Sequence, residues 1–379
     1  MNEAIKVTSI SYSQSEDGHL LSSDISGIDN IRSLWFRIRS LRRSFQPPEV
    51  QDFALIALIY PAMKMGKDLH IEGLVSGPLL FSAKEDIQRL LIAYDPSLSR
   101  ISISATPVWT LPETSRNQPR IATGFSAGVD SFAALASFSN VGMEMSTEVS
   151  DLFVMNVGAF GAGSGNGIRK AFEKSVDRMF TYAQGSDRNG YAIDSNMQQL
   201  YNHSDLSFLK THTLRNFSAA SLFHKDIDIY LYASGVSYDD VVVTGAPSMA
   251  YIDPILIPLL SPLRMRLMSA NPGVDRIEKT ALIASHADAM KLLDVCVAPA
   301  ARKIGFASQS MNCSNCTKCF RTMLTLDALN LLDNFSSIFD VRSYRSRTEA
   351  IAREVKKRGD KGSVVDKKAY DHFIAVRAQ

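Results

Sequence analysis

The sequence lacks the features that mark a membrane, secreted or nucleic-acid-binding protein. Its 379 residues carry 41 Lys and Arg against 39 Asp and Glu, a formal net charge of +2, so no overall field indicates a nucleic-acid or membrane partner. No apolar run reaches the ~18 residues of a membrane span, since the longest candidate, residues 241–263, is broken by Asp253 and several prolines. The N-terminus has Glu3 and Lys6 and no apolar signal-peptide core. We therefore expect a cytoplasmic protein.

Cysteine is scarce, and its placement is informative. The chain has four cysteines, all between positions 296 and 319. Because cytoplasmic thiols stay reduced, such a cluster favours a metal over disulfides. Cys313, Cys316 and Cys319 follow C-x2-C-x2-C, a spacing that turns successive thiolates toward one centre, and Cys296 completes a set of four. A closed structural Zn²⁺ site is the first interpretation and an iron–sulfur cluster the second.

Hydrophobic periodicity divides the chain at the polar segment 111–118 (LPETSRNQ), which is typical of a linker. Before it, helices are predicted over residues 52–63 and 78–94, and strands over 69–75 and 101–106. After it, strand and helix patterns alternate. The predicted strands cover 120–125, 151–157, 191–197 and 240–244, and the predicted helices cover 130–138, 168–183 and 214–233.

The alternation predicts an α/β fold, in which helices cover both faces of a parallel sheet and ligands bind beyond the carboxyl ends of the strands. The glycine-rich run 158–167 predicts a mobile loop on that side that closes over the site, and a disordered connector is the equal alternative. We expect an N-terminal α+β domain at 1–112, the α/β domain with its cysteine site at 119–334, and a basic helical tail at 335–379. For the tail, a solvated helical face is favoured over a phosphate-rich partner.

A candidate phosphate site lies where the strand at 120–125 runs into a helix. The connecting loop consists of Ser126, Ala127, Gly128, Val129, Asp130 and Ser131. A strand end, small residues and a helix N-terminus direct several backbone N–H groups at one point. Gly128 can take positive φ without strain, the serines add hydroxyl donors, and Asp130 caps the helix or helps to coordinate magnesium. The loop predicts a pyrophosphate site, and a capped turn without ligand is the alternative.

Polar residues after two later strands are weaker candidates. Asp194 and Asn196 follow the strand at 191–197, and Gly245 follows the one at 240–244. Contact with nucleotide or substrate is one interpretation of these residues, and plain strand-end turns are the other. His212 precedes a long helix and is a candidate for catalysis, although a lone histidine is more often structural.

Basic residues near the end of the α/β segment are candidates to meet phosphate charge. Arg276 and Lys279 lie one helical turn apart and therefore point the same way. A surface ion pair with Glu278 or Asp275 is the alternative for either. Arg321 follows the cysteines and is placed to steady an acyl-adenylate, and Lys318 is a weaker candidate of the same kind.

The loop resembles the signature of the PP-loop ATP pyrophosphatase superfamily, SGGxDS after the first strand. This chain has SAGVDS, with Ala127 where the usual motif has its first glycine. No GxxxxGK[ST] motif occurs, so γ-phosphate transfer is not favoured. The late cysteine set and the ending KCFRT at 318–322 make residues 120–326 similar to the 7-cyano-7-deazaguanine synthase (QueC) family. The N-terminal extension resembles the leading domain of a broader QueC-like group.

This resemblance implies a PP-loop fold of the adenine nucleotide alpha hydrolase type, with ATP and Mg²⁺ at the loop and zinc on the four cysteines. It implies a ligase that adenylates a carboxylate or amide substrate, such as 7-carboxy-7-deazaguanine. Pyrophosphate leaves first, and AMP follows on attack by ammonia or an amine, which is a protein amine in some QueC-like members. Together with the residues discussed above, this predicts Ser126, Asp130, Arg276, Lys279 and Arg321 as the catalytic residues.

Two other functions stay open. One is a PP-loop sulfur transferase acting on RNA, which a bound iron–sulfur cluster would favour. The other is a nucleotide-binding or partner-binding module without turnover, which Ala127 keeps open. The sequence does not determine the substrate, the acyl acceptor or the oligomeric state. A homo-oligomer is one of the states that it leaves open.

Overall fold

The structure is a computed structural model that describes residues 4–111, 116, 118–145, 148–161, 165–204, 206–297 and 312–378, without the side chains of 139–145. The expected linker at 111–118 and the expected mobile loop at 158–167 lie partly outside these residues. The chain forms two compact units. The sheet unit comprises Met1–Gly124, Thr147–Tyr232 and Val241–Ala270, and the helical unit comprises Phe125–Ser146, Ala233–Asp240 and Asn271–Gln379.

One mostly parallel sheet forms the framework of the sheet unit. Its ten strands among the described residues are β1 (Ile5–Ser15), β2 (Gly18–Ser26), β3 (Ser33–Ser40), β4 (Leu69–Ser76), β5 (Ile103–Val108), β6 (Ile121–Gly124), β7 (Val149–Asn156), β8 (Asn189–Ser195), β9 (Ile229–Tyr232) and β10 (Arg266–Ser269). Their order is β10-β9-β6-β7-β8-β3-β2-β1-β4-β5. The pairs β8–β3, β3–β2 and β2–β1 are antiparallel, and the other pairs are parallel.

Strand β3 joins the early strands to the later ones in this sheet. Leu34, Phe36 and Ile38 alternate along it and are buried, while Arg37 between them is exposed. On β8 the same pairing buries Tyr191 and Ile193. Because β3 pairs with β8, residues of the expected N-terminal domain and of the expected α/β domain share one sheet and one hydrophobic core. The three-domain boundaries stay a prediction.

Seven helices of the described residues belong to the sheet unit. They are α1 (Asp52–Met65), α2 (Gly77–Ser82), α3 (Gln88–Tyr94), α5 (Asn166–Gly185), α6 (Met197–His203), α7 (Phe208–Ser221) and α8 (Asp253–Leu259). Helix α1 is buried along almost its whole length and ends at Gly66, whose φ of 61° is the left-handed conformation that glycine favours at helix C-termini. Its first residue, Asp52, accepts hydrogen bonds from the backbone N–H and the hydroxyl of Ser76.

The helical unit surrounds the helix that follows the candidate phosphate loop. Its helices among the described residues are α4 (Val129–Met145), α9 (Arg276–Ile283), α10 (Ala287–Leu292), α11 (Thr317–Ala328), α12 (Val341–Ser346), α13 (Thr348–Asp360) and α14 (Val364–Arg377). Helix α4 packs against α9, and α11 packs against α9, α13 and α14. No helix in the described part of the chain is both long and apolar enough to cross a membrane.

The α/β class with a large, mostly parallel sheet is confirmed, and two local predictions are wrong. The helix predicted at 214–233 ends at Ser221, and its last residues form β9 instead. The buried strand predicted at 240–244 is absent from the structure, which has irregular backbone there, and Val242 is 45% exposed. Both errors have one cause. Tyr230 and Leu231 are buried in the sheet beside β6, whereas residues 241–243 pair with no strand in the described part of the chain.

Candidate phosphate loop and metal centre

The candidate phosphate loop leaves β6 after Gly124 and enters α4 at Val129. Ser126 is exposed, and its Oγ accepts a hydrogen bond from the backbone N–H of Gly128 over 3.2 Å. Ser131 Oγ donates to the carbonyl of Gly128 over 3.0 Å and lies 3.5 Å from Ser126 Oγ. The first N–H groups of α4 have no acceptor within their own helix. The loop therefore gathers two hydroxyls and a helix N-terminus, the groups that bind phosphate.

Ala127 adopts a backbone conformation that favours glycine. Its φ is 58°, in the left-handed region, and its side chain is fully buried. A non-glycine residue pays about 1–2 kcal/mol for that conformation. The carbonyl of Ala127 accepts a hydrogen bond from the backbone N–H of Asp294 over 2.8 Å, which fixes the loop to the segment before Cys296. The chain therefore keeps a left-handed residue at this position in spite of the added methyl group.

Two predicted cations converge on the loop carboxylate. Arg276 Nη2 donates to Asp130 Oδ2 over 2.7 Å, and Lys279 Nζ lies 3.8 Å from Asp130 Oδ1. The Lys279 side chain is only 2% exposed, and its ammonium donates to the carbonyl of Ser234 over 2.8 Å. The alternative of a surface pair with Glu278 is not what the structure has, because Glu278 closes a capping box with Asp275 at the start of α9.

Helix α11 carries two more cations, Lys318 and Arg321, whose charges interact with those of Asp130 and Arg276. Burial lowers the pKa of Lys318, and the charges of Arg321 and Arg276 lower it further, whereas Asp130 opposes the shift. Burial likewise lowers the pKa of Arg321, again with a contribution from Arg276. Arg321 Nη1 lies 3.5 Å from an oxygen of Asp366 on α14. Positive charge is therefore concentrated around the N-terminus of α4.

All four cysteines meet in one cluster that can hold a metal ion. The Sγ atoms of Cys296, Cys313, Cys316 and Cys319 all lie within 4.8 Å of one another. Cys319 Sγ lies 3.8 Å from Cys313 Sγ and 3.4 Å from Cys316 Sγ. Cys316 stands at the N-terminus of α11, and hydrogen bonds from Cys319 lower its pKa below the usual thiol value. The pKa values of two other thiols shift the opposite way: burial raises that of Cys313, and the hydrogen bond with Cys316 raises that of Cys319. Of these three thiols, Cys316 therefore ionises most easily.

Residues around the cysteines hold the two ligand-bearing segments together. The buried Asn312 accepts from the backbone N–H of Val295 over 2.9 Å and donates to the carbonyl of Leu293 over 2.8 Å. The backbone N–H of Cys296 donates to Asp294 Oδ1 over 3.1 Å. Asp294 bonds Ala127 as well, so a single residue connects the metal centre with the candidate phosphate loop.

Two candidates from the sheet unit lie at the carboxyl edge of its parallel strands. Asn156 ends β7 and donates through Nδ2 to Asp194 Oδ1 over 2.7 Å. Asn196 Oδ1 accepts from the backbone N–H of Trp35 over 3.0 Å, and its Nδ2 donates to the carbonyl of Ser33 over 2.7 Å. The amide of Asn196 is thus engaged with β3. Asp194 is half-buried at the edge where such sheets bind ligands.

Gly245 lies on the surface, whereas the ring nitrogens of His212 have hydrogen-bond partners. Gly245 is exposed with φ 75°, and it follows irregular backbone rather than the predicted strand end. His212 Nδ1 lies 2.8 Å from the hydroxyl of Tyr232, the last residue of β9, and its Nε2 lies 3.3 Å from Ser248 Oγ. Burial lowers the pKa of His212 to about 4, so the imidazole is neutral near pH 7.

Sequence reasoning missed Asp294, Asn312 and Asp366. Their partners lie on other segments, and only the Ser-x-x-Asp pattern before α14 gives a local signal. Comparison of the chain with protein-family models, curated proteins and solved structures finds no match. The fold and the site together define the class: an α/β protein with a large, mostly parallel sheet and a four-cysteine cluster able to hold a metal ion.

Proposed function

We propose that the chain is a QueC-like, PP-loop ATP-dependent ligase, which adenylates a substrate carboxylate or amide and transfers the activated group to ammonia or an amine. The observation that carries this proposal is the cation cluster at the loop. Arg276 and Lys279 reach Asp130, and the charges of Lys318 and Arg321 act on the same carboxylate. Cations directed at a phosphate-type loop stabilise a departing pyrophosphate.

The balance of charge supports a polyanionic ligand. Arg358 lies 3.2 Å from Asp366 and 3.5 Å from Glu354, so among the described residues five cations are linked to three carboxylates, Asp130, Glu354 and Asp366. A metal ion bound by four thiolates would add negative charge beside Cys316 and offset part of this excess. Partly buried cations without enough carboxylates are costly unless an anion joins them. ATP with Mg²⁺ fits the remaining excess.

In the proposed reaction a substrate oxygen attacks the α-phosphorus of ATP. The bond from that phosphorus to the bridging oxygen breaks, and pyrophosphate leaves. An amine nitrogen then attacks the activated carbon, the C–O bond to AMP breaks, and the nitrogen loses a proton. The chain would contribute alignment, through Ser126, Ser131 and the N-terminus of α4, and charge stabilisation, through Arg276 and Lys279.

For the metal we propose zinc in a closed structural site. Zn–S bonds of about 2.3 Å in a tetrahedron put neighbouring sulfur atoms about 3.8 Å apart. The separations of Cys319 Sγ from Cys313 Sγ and Cys316 Sγ, 3.8 and 3.4 Å, are close to that value. An iron–sulfur cluster has an inorganic core between its thiolates and holds them farther apart. With every cysteine in the cluster, no other thiol is left to carry a persulfide, which disfavours the sulfur-transferase alternative.

The test is to incubate the protein with ATP, Mg²⁺ and ammonia, with and without 7-carboxy-7-deazaguanine, and to separate AMP from ADP. We expect AMP only when the acid is present and none from Ser126→Ala. Ser285→Ala, an exposed serine after α9, is the matched control and should keep wild-type activity.

Each other result has a defined meaning. ADP in place of AMP would refute adenylation. ATP binding without AMP, with this acid and with other acids and amides, would favour the non-catalytic module. AMP formed with a different acid would keep the ligase and replace the substrate.

A further inference from the structure

The C-terminal tail contributes a buried carboxylate that the reaction proposed above does not use. The Asp366 side chain, in the first turn of α14, is 7% exposed. It accepts hydrogen bonds from Arg358 Nε over 3.2 Å and from Ser363 Oγ over 2.7 Å, and Arg321 Nη1 lies 3.5 Å away. Donors from three directions hold this carboxylate in one orientation.

Arg321 is mostly buried, yet it has few polar partners. Its side chain is 17% exposed, and within the described ranges its one ion pair is with Asp366. A guanidinium has five N–H donors in a rigid fork, so most of those of Arg321 are not used by that contact. The N–H groups that Arg321 does not use for Asp366 are not fully buried, so a ligand can reach them, and phosphate oxygens satisfy an arginine fork well.

The tail is built into the helical unit. Helix α14 packs against α11, which carries Arg321, and against α13, which carries Arg358. Lys368 Nζ bonds Asp240 Oδ2 over 2.6 Å, and Arg358 Nη2 donates to the carbonyl of Thr317 over 3.3 Å. The position of Asp366 relative to Arg321 is therefore set by packed helices.

We propose that Asp366 is a positioning residue, which holds one edge of the Arg321 fork so that the other edge is presented to the phosphates of ATP. This inference rests on the proposed function, because it takes the ligand to be a nucleotide bound at the loop. Asp366 does not touch the nucleotide. It acts by restricting the rotamers of Arg321, so that less conformational entropy is lost on binding.

The experiment is titration calorimetry of the full chain with Mg²⁺-pyrophosphate and, separately, with Mg²⁺-ATP. Asp366→Asn should weaken both affinities by roughly five- to tenfold, the size of coupling seen between contacting residues. Arg321→Met should weaken them at least as much, and adding Asp366→Asn to Arg321→Met should have no further effect. Asp371→Asn is the matched control, since it makes the same change on α14 at an exposed residue paired with Lys367.

A structural role for Asp366 would show in a different pattern. Phe373→Leu loosens the packing of α14 and keeps Asp366 with all of its donors, so it should lower the unfolding midpoint without changing the affinities. If Phe373→Leu weakens binding as much as Asp366→Asn, Asp366 acts only by holding the helix. Unchanged or tighter binding by Asp366→Asn, or additive effects in the double variant, would also overturn the proposal.

The same titrations distinguish failure of the proposed function from failure of the positioning role alone. If the wild-type chain binds neither pyrophosphate nor ATP, the ligase and the positioning role fall together. If it binds both and Asp366→Asn matches it, only the positioning role falls. Should Asp366→Asn not fold, Arg321→Lys replaces it. That change keeps the charge but loses the fork, so affinity should again fall about fivefold, and unchanged affinity would refute the role.

Discussion

The substitution Asp130→Asn gives the sharpest test of the cation cluster, because its effect on stability needs no substrate. Asp130 is the carboxylate that both Arg276 and Lys279 reach, and their side chains are 24%, 17% and 2% exposed. Removing one partner of a fully buried ion pair costs about 3–5 kcal/mol, and removing one of an exposed pair costs about 0–1 kcal/mol. The pair here is intermediate in burial, and the Ser234 carbonyl still holds Lys279. We therefore expect a loss of roughly 2 kcal/mol.

The assay is urea unfolding of the wild type and variant followed by far-UV circular dichroism at pH 7 and low salt. Asp333→Asn is the matched control. Asp333 also pairs over 2.7 Å, with Arg345, but these side chains are 70% and 60% exposed, so the loss should stay below about 1 kcal/mol. Equal losses in the two variants, or no loss in Asp130→Asn, would refute the view that burial makes the Asp130 cluster strong.

Three further predictions concern the metal, the pH dependence and the loop. The purified chain should contain about one zinc ion, and Cys319→Ser should lose it and unfold more readily, as measured by elemental analysis and thermal melting; a metal-free wild type would contradict the site. Burial raises the pKa of Asp52 to about 6 from an ordinary value near 3.8. Protonated Asp52 therefore contributes its full stabilisation below about pH 4, and this is lost as pH rises through 6. Asp52→Asn should remove about 3 kcal/mol from the pH dependence of the free energy of unfolding, measured by urea titrations at pH 4 and 7. An unchanged pH dependence in the variant would contradict the shift. Ala127→Gly relieves about 1–2 kcal/mol of left-handed strain but gives up about 0.5–1 kcal/mol of chain entropy and about 0.8 kcal/mol of methyl burial. Its unfolding midpoint should stay close to that of the wild type, whereas Ala127→Val should lower it clearly.

Local order in the sequence was enough to find the loop and the cysteines. Strand, small residues and helix follow one another from Gly124 to Ser131, and the C-x2-C-x2-C spacing places three cysteines within a short stretch of chain. Each feature depends on neighbours a few residues away, so it can be recognised without knowing the fold. The class of the fold was likewise determined by the alternation of strand and helix patterns, since such a pattern closes best into a parallel sheet.

Only the tertiary structure decided which residues meet across long separations. The valine run after Asp240 and the residues of β9 have similar strand propensity, but it is β9 that pairs with β6 in the sheet. Asp366 and Arg321 meet because α14 packs on α11, and no residue spacing in the sequence predicts that contact. Long-range pairings depend on packing summed over the whole core, which short sequence patterns do not contain. The sequence by itself therefore determined the candidate phosphate loop and the cysteine set, and the packing of distant segments decided which charges surround them.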